Sequence, residues 1–266
     1  MLNKIAKIKF YFPETSHDFK NKQDLVNLIV EDMQKDGGMK YSGYLKENDL
    51  KKDLLRHYGS GNIAFQKLSA EHKQTISKTI YEAAEKCQKI LPHPNLPVFV
   101  FVYPWSPNAK SQTLFRGVTA FAEYYTIHLF IDLDTYIQAS LEQTFAHEWN
   151  HLVFYRHHPD FPYTLLSYIM MEGFAEVFRE ETMGGNPAPW SLALTENESS
   201  KQLQLLEKYF NTKGMKIYRE IFLGNKEFKK WTGYSIGYKL VKDFRKKHPK
   251  LSWEKIIQSN PKDIFR

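Results

Sequence analysis

The chain has 266 residues, 42% of them hydrophobic and 15% aromatic, enough for one large core or two small ones. Its formal net charge is +7 and it has one cysteine. That excludes an internal disulfide, and the absence of repeats and low-complexity tracts excludes a solenoid or a disordered chain.

Residues 1–95 read as a mostly helical, charged region, with a long amphipathic helix over Leu68–Leu91 that carries Cys87. Met1 to Lys7 lacks the apolar core of a signal peptide, so a cytoplasmic setting is expected. Pro92, Pro94 and Pro97 mark a junction to residues 96–266. Leu96–Trp105 reads as a buried strand and is too short to span a bilayer. Phe115–Asp132 reads as one or two more strands, with Tyr125, Ile127, Leu129 and Ile131 alternating.

Ser140-Leu141-Glu142-Gln143 has the form of a capping box with Ser140 as N-cap. The helix it opens runs without Gly or Pro to Tyr155 and contains His147-Glu148-Trp149-Asn150-His151, an H-E-x-x-H pattern. On a helix the two histidines lie one turn apart on one face, so both imidazoles reach one Zn²⁺ at about 2.0–2.1 Å. Glu148 then stands where a carboxylate takes a proton from a metal-activated water. The apolar stripe of Leu141, Phe145, Trp149, Leu152 and Val153 is core packing that holds the histidines on a rigid element.

A catalytic zinc site needs a third protein ligand. His157 follows His151 at the metzincin spacing, but Phe154 stands where that motif needs a glycine for a sharp turn. His157 and His158 read better as residues of a helix C-terminus. The other candidate is Glu172, with 20 residues between it and His151. Pro159 and Pro162 break the chain inside that gap. A second helix then runs from near Thr164 to Thr182, with Gly184 as its stop. Glu176 lies at i+4 on the same face, suited to accept a hydrogen bond from a zinc-bound histidine. Mid-helix Gly173 costs about 1 kcal/mol against Ala, which suits close approach of another element. A last helix is expected over 234–247. The lysines and arginines crowded between Lys226 and Lys250 read as a solvated face, since no nucleic-acid motif accompanies them.

His-Glu-Trp-Asn-His, then Glu172-Gly-Phe-Ala-Glu-Val-Phe178, then Gly233-Tyr-Ser-Ile-Gly-Tyr-Lys-Leu-Val241 resembles the DUF2268 family of predicted Zn-dependent proteases over roughly residues 95–266. More broadly it is similar to the gluzincin metallopeptidases. Met171 stands where the zinc aminopeptidases have Asn, and their G-x-M-E-N segment is absent, so what carries over is the zinc chemistry and not aminopeptidase specificity. The resemblance implies an α+β, zincin-like fold: a small, mostly antiparallel sheet packed on the H-E-x-x-H helix, with helical N- and C-terminal parts. It implies Zn²⁺ on His147, His151 and Glu172, with Glu148 as general base. It also implies an oxyanion donor at Tyr234 or Tyr238, and an edge strand with Gly117, Thr119 and Ala120 that holds substrate by strand addition. The expected substrate is a peptide or protein, with no nucleic acid. The alternative is a catalytically silent binding protein on the same scaffold, which would have no chemical need for Glu148.

Overall fold

The computed structural model describes residues 7–12, 21–35, 39, 46–57, 67–93, 97–104, 114–123, 125–159 and 163–265. Pro94, Leu96, Trp105, Pro162 and the residues before Lys7 lie outside them. The chain divides into two compact units, Met1–Lys89 with His93–Leu152, and Ile90–Pro92 with Val153–Arg266.

The first unit is built on a four-stranded sheet of β1 (Ile8–Tyr11), β2 (Val98–Pro104), β3 (Val118–Glu123) and β4 (Thr126–Ile131), in the order β1-β2-β4-β3. β1 and β2 are parallel, β2 and β4 are parallel, and only β3 and β4 are antiparallel. The sheet is therefore mixed, not mostly antiparallel as expected. Three helices, α1 (Lys22–Lys35), α2 (Glu47–His57) and α3 (Ala70–Ile90), fall between β1 and β2. A connection of that length lets the second strand return in the direction of the first.

β2 and β4 are buried along their whole length, as central parallel strands covered on both faces are. The alternation at Ile127, Leu129 and Ile131 suggests a half-exposed strand, but His128 and Phe130 between them are also fully buried. They belong to an aromatic face. Tyr11, Phe101, His128 and Phe121 stand in register across all four strands. Their rings stack at 4.6, 5.0 and 4.5 Å. The Tyr103 hydroxyl lies 2.9 Å from His128 Nδ1. Leu25, Val26, Ile29, Val30 and Met33 of α1, with Leu50 and Leu54 of α2, form one core with Phe99, Phe101, Tyr103 and Phe130 of this face. α3 instead meets β1: the Tyr81 ring packs edge-on to Phe10 at 5.3 Å. Cys87 is fully buried in α3, and burial pushes its thiol well above the usual range.

The second unit is helical: α5 (Leu165–Met183), α6 (Glu196–Glu207), α7 (Met215–Leu223), α8 (Thr232–Lys247), α9 (Trp253–Gln258) and α10 (Pro261–Phe265). The preceding helix, α4 (Gln138–His157), begins in the first unit and ends in the second without a break. α5 starts at a capping box between Thr164 and Ser167 and stops at Gly184, whose φ is 72°. The pairing of α5 with α8 is the most extensive in the unit. Three of the cations expected on a solvated face are paired: Lys242 with Glu180 at 2.6 Å, Arg245 with Glu181 at 2.9 Å, and Lys239 with Glu196 of α6. Lys229, ahead of α8, pairs with Glu198. Among the described residues no helix is long and apolar enough to cross a membrane.

Candidate metal centre

α4 begins two residues before the expected N-cap. Ser140 lies inside the helix, and its hydroxyl donates to Arg116 O at 2.9 Å and to Ile137 O at 2.7 Å. That serine ties the helix start to the turn before β3. Downstream, Leu141, Phe145, Trp149, Leu152 and Val153 are fully buried, as the stripe predicts. Trp149 also meets the His93 ring edge-on at 5.6 Å. His93 is itself fixed by two hydrogen bonds with the Gln88 side chain. This packing leaves the His147-Glu148-Asn150-His151 face little freedom.

His147 Nε2 and His151 Nε2 lie 3.0 Å apart, with their rings at 81° to each other. Two nitrogens at 2.0–2.1 Å from one ion in tetrahedral geometry stand about 3.4 Å apart. The pair is thus close to the spacing a shared ion requires. Glu148 and His151 are each 6% exposed, and Asn150 is fully buried.

α5 carries Glu172, 9% exposed, one residue before Gly173. The glycine has a packing reason. A Cβ on Gly173 would sit 2.2 Å from Gly237 O, and one on Gly237 would sit 2.1 Å from Ile169 O. The backbones of α5 and α8 cross at these two glycines. A Cβ on Gly233 would strike the Phe222 ring at 2.6 Å. The glycines of the two motif segments therefore seat one helix directly on the other, and this crossing fixes the register of Glu172 against Tyr234 and Tyr238.

His147, His151 and Glu172 each offer one donor atom, all within 4.8 Å of one another. Two imidazoles and a carboxylate suit zinc and leave room for a fourth ligand. His157 is not part of this cluster. α4 continues through it, and Phe154, at the metzincin glycine position, is fully buried against Phe174. His158 Nε2 lies 2.6 Å from Ile257 O, which holds the end of α4 near α9.

The remaining expected site residues fall as follows. Glu176, 2% exposed, accepts through Oε1 from Arg179 at 2.6 Å and from Ala188 N at 3.0 Å. Sequence reasoning missed Arg179; its signal was a cation three residues after an acid on an otherwise apolar helix face. Tyr234 lies in the first turn of α8, its ring edge-on to Phe222 at 4.8 Å. Trp231 just before it has φ 69°, a conformation rare for a bulky residue. The Tyr238 hydroxyl donates to Glu180 Oε2 at 2.7 Å, and burial followed by that carboxylate pushes it well above its usual range. Thr119 and Ala120 lie on β3, the terminal strand of the sheet. Gly117, φ 76°, precedes it, where a Cβ would sit 2.6 Å from the Tyr136 backbone. A turn this tight requires glycine whatever else it does.

Two histidines of α4 and a carboxylate of α5 thus form a cluster that could hold a metal ion. The chain belongs to the DUF2268 family, described as a predicted Zn-dependent protease, which it matches over residues 76–266. The match reaches back through most of α3, further than the motifs do. No curated protein and no solved structure matches the chain.

Proposed function

We propose that the protein is a zinc-dependent peptidase that uses water to cleave peptide bonds. The observation that carries this reading is the His147, His151 and Glu172 cluster with Glu148 on the same helix turn. These three residues would hold the ion. Zinc bound there supplies Lewis acidity, which lowers the pKa of a water and polarises a carbonyl. Glu148 takes a proton from the attacking water and passes it to the leaving amine. Its low exposure strengthens that exchange, because a dry site screens charge less. Tyr234 donates to the oxyanion. It is preferred to Tyr238, whose hydroxyl is already given to Glu180. Glu176, whose Oε1 accepts from Arg179 and Ala188 N, is proposed to accept also from a histidine N–H. The outer edge of β3, with Gly117, Thr119 and Ala120, is proposed to hold the substrate backbone.

Elemental analysis and a mixed peptide library test this reading together. One equivalent of zinc, and cleavage that stops with a chelator and returns with zinc, support it. Full cleavage by zinc-free protein contradicts it.

A further inference from the structure

α8 ends at Lys247, α9 begins at Trp253, and the turn between them is pinned. Arg245 donates through Nε and Nη2 to Glu181 at 3.0 and 2.9 Å, and through Nη1 to Leu251 O at 2.7 Å. The Trp253 indole donates to the same Glu181 carboxylate at 2.9 Å. His248 N donates to Phe244 O at 2.9 Å, and Leu251 N donates to His248 O at 3.1 Å. The His248 and Phe244 rings lie 4.5 Å apart. Pro249 fixes one more backbone angle. The turn is therefore ordered before any ligand arrives, which lowers the cost of binding one.

An open hollow of about 390 Å³ lies on this turn, lined by Lys247, His248, Pro249, Lys250 and Leu251. Its charges differ from those just upstream. Lys239, Lys242 and Arg245 meet glutamates, and Lys246 lies 3.6 Å from Asp243. Lys247, His248 and Lys250 are exposed and have no acidic partner among the described residues. The dipole of α8 accounts for Lys246 and Lys247 in its last turn. It does not account for Lys250, which stands beyond the helix end, or for the hollow.

A concave surface lined by one sign of charge concentrates counter-ions. Here two ammonium groups and an imidazole N–H supply donors, and no carboxylate stands in the lining. The lining is one run of five consecutive residues, which suits a single compact anion. A nucleic-acid backbone needs cations spread along a track. We propose that the hollow binds a phosphomonoester group, carried by a free small molecule or by a lipid headgroup. Lys247 and Lys250 supply the counter-charge, and His248 supplies a further donor. The site lies wholly within the second unit, and it does not depend on the peptidase reading.

The test titrates the full chain calorimetrically with inorganic phosphate and with glycerol phosphate, ionic strength being held constant with chloride. Saturable one-to-one binding with Kd of about 1 mM is expected, as a few charge-assisted contacts at an open surface give. Lys247→Ala combined with Lys250→Ala should weaken it by about ten-fold or more. Lys246→Ala, outside the hollow, should leave it unchanged. Lys247 and Lys250 are exposed and unpaired, so the double variant keeps its Tm and a loss of binding there is not unfolding. A second arm sediments the protein with phosphatidylcholine vesicles that carry phosphatidic acid or phosphatidylserine. Preference for phosphatidic acid, lost in the double variant, assigns the phosphate to a lipid; binding of the free phosphates alone assigns it to a soluble ligand. No saturable binding in either arm, binding undiminished in the double variant, or equal retention on both anionic vesicles without binding of the free phosphates overturns the site.

Discussion

At the scale of single residues, carboxylates sort by what surrounds them. Glu123 ends β3 without a cation partner among its described contacts, and burial, with Asp53 adding to it, pushes its pKa up to about 7. A carboxyl raised above its unfolded value binds more protons folded than unfolded across the window between the two. Stability therefore falls as pH rises from about 4.5 to 7. The penalty above pH 7 is on the order of 3 kcal/mol at most. Glu123→Gln should raise Tm at pH 8 and change it little at pH 4.5; an equal shift at both would contradict this. The two tyrosines of α8 separate on the same logic. Tyr234→Phe should lower kcat by about 10²–10³ with KM nearly unmoved, as loss of an oxyanion donor does. Tyr238→Phe should leave kcat intact and lower stability by about 1 kcal/mol, because it leaves the Glu180 hydrogen bond unmade. Steady-state kinetics beside thermal melts distinguish the two variants.

At the scale of elements, the α5–α8 crossing decides the geometry. Gly173→Ala gains about 1 kcal/mol of helix propensity. Against that stands a Cβ 2.2 Å from a backbone oxygen, which no rotamer change relieves. Overpacking of this kind costs about 1–3 kcal/mol, so the variant should melt lower and, with Glu172 displaced, bind zinc more weakly. Melts and zinc titration check both; a variant with raised Tm and unchanged zinc affinity would refute the packing account. Elements with local punctuation were legible in the sequence. Thr164, Gly184 and mid-helix Gly173 bound and explain α5 because capping and close approach are written in neighbouring residues. Ser140 misled because its hydroxyl bonds to Arg116 O, far off in sequence. Tyr238 gave no sign that its hydroxyl belongs to Glu180, 58 residues away.

At the scale of the whole molecule, the candidate metal cluster was legible and the sheet was not. Histidine spacing and the E-G-F-A segment each lie within one helix, so each set of candidate donors could be read from local sequence. Strand direction depends on the path between β1 and β2, and that path carries no motif. The aromatic row of Tyr11, Phe101, His128 and Phe121 draws one residue from each strand, so no single segment displays it. Part of the charge pattern also resolves only in the fold, where Lys239, Lys242 and Arg245 of α8 meet glutamates of α5 and α6.

In the proposed mechanism Glu148 moves the proton while His147, His151 and Glu172 hold the metal. Peptide cleavage by wild-type protein and by Glu148→Gln, compared at equal zinc content, tests it most directly. The expected result is one equivalent of zinc in both and turnover only in the wild type. Undiminished cleavage by zinc-loaded Glu148→Gln would contradict it.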